Sequence, residues 1–155
     1  MWFMKPGLKK PVPISQRQKL VGGTANGDIA ATNYADEYEP TPMADQVING
    51  EACFVFDLKA IGKKTTYDRI LYWVSRERLV GIKAEFYAVS GKMFKSATFE
   101  YKNQVQIKNK SNPFISKMVI TDALMTKNIT TLNFSKPTLV EIPNSTFDLN
   151  LLITN

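Results

Sequence analysis

Histidine is absent from this 155-residue chain, and cysteine occurs once. Without histidine, the commonest general base and the commonest zinc ligand are both missing, so Ser-His-Asp and Cys-His mechanisms are excluded. Cys53 has no partner for an internal disulfide. Its place in the strand-like run ACFVFDL reads as a small buried hydrophobe rather than a nucleophile. Long apolar runs are lacking as well, since nothing approaches the roughly twenty residues that a membrane-spanning helix needs. Met1-Trp2-Phe3-Met4 runs straight into Lys5-Pro6-Gly7, without the basic segment, apolar stretch and cleavage site of a secretory leader. No long amphipathic helical pattern and no internal repeat is evident. Carboxylates gather at Asp36, Glu37 and Glu39, in a polar, proline-flanked stretch where solvated charge is the default. The expectation is a protein that is not an enzyme and that uses no cofactor or metal.

What is present is ordinary for one folded domain spanning residues 1–155: 44% hydrophobic and 22% charged residues, with a net charge of +6. The basic residues are spread along the chain in small groups, Lys9-Lys10, Lys63-Lys64 and Lys108 with Lys110, as solvated strand ends and turns would place them. The run DRILYWVSRERLVGIKAEFYAVSGKMFKSATFE, residues 68–100, is the most informative. Ile82, Ala84, Phe86 and Ala88 alternate with Lys83, Glu85 and Tyr87, the period-two pattern of a strand with one buried face. Ser90-Gly91 then reverses the chain, because glycine reaches the positive φ that a hairpin turn needs. Across the turn, Met93, Ala97, Phe99 and Tyr101 share one face, and Phe94, Ser96, Thr98 and Glu100 the other.

Elsewhere residues 1–4 read as the end of a strand and 12–15 as a short extended piece, with a proline-bounded turn at PGLKKP between them. Residues 16–40 lose strand alternation and become rich in Gly, Ala, Asn and Asp. They are expected to form a long ordered loop with one short helix near 28–34. Strands resume at 45–48. Asn49-Gly50 marks a hairpin into 52–58, where Ala52, Phe54, Phe56 and Leu58 share a face. Strands at 67–74 and 82–89 follow. Val105 and Ile107 read as irregular, 116–123 and 129–134 as a final antiparallel pair, and IPNSTF as a turn with a short helical cap whose Phe147 packs back on the sheet. About eight strands without a long helix predict a mainly β fold, an antiparallel sheet or partial barrel.

Four segments carry a family resemblance: MWFMKPGLKKPVPIS, GGTANGDIAATNY, YWVSRERLVGIKAEFYAVSGKMFK and LNFSKPTLVEIPNSTF. In order and spacing they resemble the outer membrane lipoprotein-sorting protein family, similar in fold to the periplasmic carrier LolA and its receptor LolB. The resemblance implies an antiparallel open half-barrel with a loop or short helix across its concave face. It also implies a cavity for acyl chains, a periplasmic location, and the transport of lipids or lipoproteins between inner and outer membrane components. Family members usually carry a signal peptide, a helix and further strands ahead of the position matching Met1. The chain therefore reads as the C-terminal portion of the fold, and residues 1–4 as a strand with an open edge through which the protein is expected to self-associate.

Strand alternation gives Phe54, Phe56, Trp73, Ile82, Phe86, Phe99 and Tyr101 as the candidate lipid-facing set, although ordinary core packing has the same signature. Gly22, Gly23, Gly27 and Ile29 lie in the candidate lid loop, where glycines would give hinge freedom. Arg69, Arg76 and Arg78 could touch lipid headgroups or solvate a strand end. The competing reading is a basic β-sheet module for nucleic acid or another polyanion, or a structural interaction domain. Lys83 and Lys95 lie near aromatics, but no nucleic-acid motif appears and Glu85 and Glu100 dilute the patch, so no nucleic-acid partner is expected.

Overall fold

The structure, a computed structural model, describes residues 1–5 and 8–148, so the turn expected at Pro6 and Gly7 lies outside the described residues. Its centre is one antiparallel sheet. The strands are β1 (Trp2–Phe3), β2 (Val12–Pro13), β3 (Lys19–Val21), β4 (Thr24–Ala25), β5 (Tyr38–Ile48), β6 (Glu51–Ala60) and β7 (Arg69–Ser75). They continue with β8 (Gly81–Tyr87), β9 (Met93–Glu100), β10 (Asn103–Ile107), β11 (Lys110–Phe114), β12 (Lys117–Asp122) and β13 (Ile129–Asn133). Seven of them form the main sheet in the order β13-β12-β9-β8-β7-β6-β5, a meander that remains open at both edges. The pairs β1-β2, β3-β4 and β10-β11 are separate two-stranded ribbons. Two four-residue helices, α1 (Gly27–Ala30) and α2 (Tyr34–Glu37), lie in the segment ahead of β5.

Alternation decides which side chains turn inward. Leu58, Ile70 and Phe86 are register partners across β6, β7 and β8, and they share one cluster with Tyr38, Tyr67, Ala84, Ala97, Met118 and Ile120. Burial of each large member contributes about 2 kcal/mol, which makes this inner face the main stabilising surface. The outer face carries a smaller cluster of Cys53, Val55, Trp73 and Ile82. There the indole of Trp73 donates to Gln46 Oε1 at 3.0 Å, tying β7 to the edge strand β5.

Several elements differ from the sequence reading. The edge strand begins at Tyr38, seven residues before the expected 45, and runs through Pro40 and Pro42. Proline argues against an interior strand, but an edge strand has one side without ladder bonds and accommodates it. The expected loop at 16–40 instead holds the β3-β4 ribbon, both helices and the start of β5. Residues 103–114 form a regular hairpin, because Lys108 and Asn109 both adopt positive φ (46° and 63°), a turn the side chains did not advertise. Phe147 sits on a short 3-10 turn but is 69% exposed, so it does not pack back on the sheet.

Candidate functional site

The inner face is covered by residues 16–37. Arg17 holds the start of this segment, donating from Nε to Thr65 O at 2.9 Å and pairing with Asp68 at 2.9 Å. Gly22 takes φ of +54° at the tip of the β3-β4 ribbon, and a Cβ there would strike Thr130. The next amide, Gly23, donates to Thr130 Oγ1 at 2.8 Å. Gly27 opens α1 in contact with Thr66, whose hydroxyl a Cβ would overlap. Tyr34 of α2 stands edge-on to Tyr38 and Tyr72 at 5.5 and 5.4 Å between ring centroids. The glycines expected to act as hinges are thus points of close packing that seat the cover on the sheet.

A buried ion pair forms the centre of that contact. A register shift between Phe86 and Tyr87 leaves Lys95 opposite Phe86, on the inner face with Ala97. Its ammonium lies 2.6 Å from Asp28 Oδ2, with both side chains almost fully buried, and it also donates to Gly23 O at 3.2 Å. The rings of Tyr67 and Phe86 flank it at 4.8 and 5.1 Å. Asp28 further accepts the Ala25 amide at 2.7 Å on Oδ2 and the Tyr67 hydroxyl on Oδ1. Burial pushes the Lys95 ammonium below the ordinary lysine range, and Asp28 opposes that shift without cancelling it. Burial and the neighbouring Asp28 charge push the Tyr67 hydroxyl upward.

Beside this network a cavity of about 770 Å³ opens between the β3-β4 ribbon and the ends of β8, β9, β12 and β13. That volume is in the range that accommodates one small amphiphile. Ala25, Tyr67, Lys95 and Ile120 give buried wall; Phe94, Met125 and Ile129 are exposed apolar wall; Lys19 and Lys127 are basic. On the other side of the cover an aromatic strip remains half-exposed. Phe54 and Phe56 are neighbours at 6.5 Å, Phe56 pairs in register with Tyr72, and Tyr72 meets Phe99 at 6.4 Å. Tyr101 closes the strip, donating to Gly81 O at 2.7 Å.

The candidate lipid-facing residues therefore divide. Phe54, Phe56, Phe99 and Tyr101 lie along the half-exposed strip, and Phe86 is core at 2% exposure. Trp73 and Ile82 belong to the outer cluster. For Trp73 the cause is simple alternation from Tyr72. For Ile82 it is a bulge, since Trp73 pairs with Lys83 and Val74 with Gly81, which takes Ile82 out of step with Ala84 and Phe86. Of the lid candidates, Gly22 and Gly23 line the cavity, Gly27 is buried, and Ile29 points to solvent at 46% exposure. Arg69, Arg76 and Arg78 pair with Asp57, Asp45 and Glu51, all at 2.7 Å. The two lysines of the polyanion reading have acidic partners, Lys83 with Glu85 at 2.7 Å and Lys95 with Asp28. Sequence reasoning missed Asp28, Tyr67 and the burial of Lys95. Lys95 alternates with Ala97 and Phe99, so its inward direction was readable.

The fold has solved counterparts. A LolA superfamily protein from Nitrosomonas europaea is 32% identical, with a TM-score of 0.79 over 96% of this chain and 66% of its own. A domain from Vibrio parahaemolyticus named for outer membrane lipoprotein sorting is 23% identical, with a TM-score of 0.76 over 98% of this chain and 65% of its own. A DUF1329 family protein from Desulfovibrio piger is 19% identical, with a TM-score of 0.69 over 92% of this chain and 59% of its own. The chain thus spans about two thirds of the length of the structures it matches. A family model described as "-like: Uncharacterized protein" matches residues 1–154, and no curated protein matches. The fold defines a LolA-like open half-barrel. The chain belongs to the family of that model, and it shares the fold of the LolA superfamily protein.

Proposed function

We propose that the protein is a non-catalytic carrier for lipids or lipoproteins, which holds acyl chains against the inner face of the half-barrel in the periplasm. The observation that carries this reading is the incompletely covered inner face, where the strip from Phe54 to Tyr101 and the 770 Å³ cavity leave apolar surface open on either side of the cover. Acyl chains would be held by hydrophobic burial, at about 0.8 kcal/mol per methylene, and passed to a partner whose site binds them more tightly. The Vibrio domain, named for outer membrane lipoprotein sorting, supports the cargo class. The exchange partners we propose are inner and outer membrane transport components. Among the described residues no helix is long and apolar enough to cross a membrane.

Native mass spectrometry with lipid extraction, on protein expressed with an export signal, tests the reading. Co-purifying phospholipid or acylated peptide is expected, and Phe54→Asp with Phe99→Asp should remove it while the thermal unfolding transition persists. Protein that carries nothing and takes up no added lipid would overturn the carrier role. Trp2 and Phe3 of the β1-β2 ribbon are 53% and 47% exposed beside an open strand edge, which motivates a second expectation, self-association. Light scattering should show a mass above the monomer that falls on Trp2→Ser with Phe3→Ser. A monomer at high concentration would end that idea.

A further inference from the structure

The connections at one end of the main sheet share a composition that the carrier reading does not use. The β3-β4 ribbon displays Lys19, Leu20 and Val21, with Leu20 54% and Val21 56% exposed. The turn from β8 to β9 displays Val89, 84% exposed, with Lys92. The turn from β12 to β13 displays Leu124 and Met125, 86% and 60% exposed, with Lys127. All three border the 770 Å³ cavity, which is lined by Lys19, Ala88, Met125 and Lys127 among others. Antiparallel pairing brings the turns together, because Asp122 is opposite Lys95 and the Ala123 amide donates to Phe94 O at 2.9 Å. Scattered exposed hydrophobes are ordinary, but apolar tips gathered on the turns around one cavity mouth point to a binding surface.

Charge separates this end from the other. At the far end the cations are matched by carboxylates, Arg76 with Asp45, Arg78 with Glu51, and Lys102 and Lys117 with Glu100. No ion pair among the described residues includes Lys19, Lys92 or Lys127. The carboxylates nearest the rim have other partners, and only Asp122 also acts on a rim lysine, Lys19. Asp68 holds Arg17, and Asp122, beside Lys19, caps its own turn by accepting the Leu124 and Met125 amides at 2.8 Å. Lys63 and Lys64, next to Ile61 at 68% exposure, extend the same pattern along this end, and Asp36, Glu37 and Glu39 begin only beyond them at α2 and β5.

We propose that this rim docks the protein on an anionic bilayer surface, with Val89, Leu124 and Met125 entering the interface and Lys19, Lys92 and Lys127 facing the headgroups. Aliphatic tips interleaved with lysines suit the boundary between headgroups and acyl chains, where each lysine adds attraction to anionic lipid. Docked in this way, the cavity mouth opens onto the membrane, so an acyl chain passes between bilayer and protein without crossing water. The surface is independent of which cargo the inner face holds.

The test is flotation of the full chain with vesicles of phosphatidylglycerol and phosphatidylethanolamine, set against vesicles of phosphatidylcholine alone. Binding is expected to the anionic vesicles, to weaken as salt is raised, and to be far weaker on the zwitterionic ones. Replacing Lys19, Lys92 and Lys127 by Gln should lower affinity on the order of a hundredfold. Val89→Asp with Leu124→Asp should abolish flotation even at low salt. These are exposed turn positions, and an unchanged circular dichroism melt excludes unfolding as the cause. Absence of flotation with both vesicle types, or equal binding that ignores the lysine replacements, overturns the proposal. So does a pair of aspartates that alters the mass in light scattering and leaves flotation intact, which would make the rim a contact between copies of the chain.

Discussion

Lys95→Met should lower the free energy of unfolding by about 3–5 kcal/mol, the cost of leaving one member of a buried ion pair without the other. Asp28 retains the Ala25 amide and the Tyr67 hydroxyl, but in the variant its buried charge has lost its ion-pair partner. Asp28→Asn should cost a comparable amount, since Lys95 then faces Tyr67, Phe86 and a neutral amide. Combining Lys95→Met with Asp28→Leu is expected to recover only part of the loss, because the Ala25 amide and the Tyr67 hydroxyl become buried donors without acceptors, at about 1–3 kcal/mol each. Adding Tyr67→Phe should recover more. Urea denaturation of the four variants decides the matter, and a single substitution costing less than about 1 kcal/mol would mean that water reaches the pair. Hydrogen exchange adds where the stability is lost. If the pair mainly fixes the cover, protection should fall across residues 16–37 while β6 to β9 remain protected.

The central sheet was readable because its strands obey a short-range rule. Period-two alternation and the Asn49-Gly50 and Ser90-Gly91 reversals are local signals, so the meander from β6 to β9 and the closing pair β12-β13 were placed near their observed limits. Alternation fails at a bulge, where one extra residue puts the following side chains out of phase. The shift opposite Trp73 moved Ile82 to the outer face, and the family resemblance held no information at that level of detail. The cover was less legible. Residues 16–37 are held by contacts to residues far along the chain, Gly23 to Thr130, Gly27 to Thr66 and Asp28 to Lys95, and no window of neighbouring residues contains both partners. Glycine in such a stretch suggests flexibility when read locally. In the fold it marks where backbone approaches a side chain closely. An inward-facing lysine between apolar alternation partners is the signal that was present and unused, because a buried ammonium requires an anion.

Above pH 10 the protein is expected to lose stability steeply, and the cause is the set of tyrosines on the inner face. Burial raises Tyr34, Tyr67 and Tyr72 above the ordinary value of 10.0, and Asp28 adds to the rise at Tyr34 and Tyr67. Each therefore retains its proton in the folded chain at a pH where the unfolded chain has released it. The stability they contribute is fully present below pH 10 and is lost as pH rises above it, by about 1.4 kcal/mol per group for each pH unit. Three such groups remove roughly 4 kcal/mol by pH 11, a large share of the 5–15 kcal/mol that holds a typical domain together. Lys95 acts in the opposite direction. Its folded value lies below the ordinary 10.5, so between the two the unfolded chain binds more protons and stability rises with pH. One lysine cannot offset three tyrosines, so the net slope is downward. Thermal melts across this range, followed at the tyrosinate absorbance, should show the inner tyrosines ionising together with unfolding. Free titration of all six tyrosines near pH 10 in a still-folded protein would mean that the cover is not seated on the sheet as described.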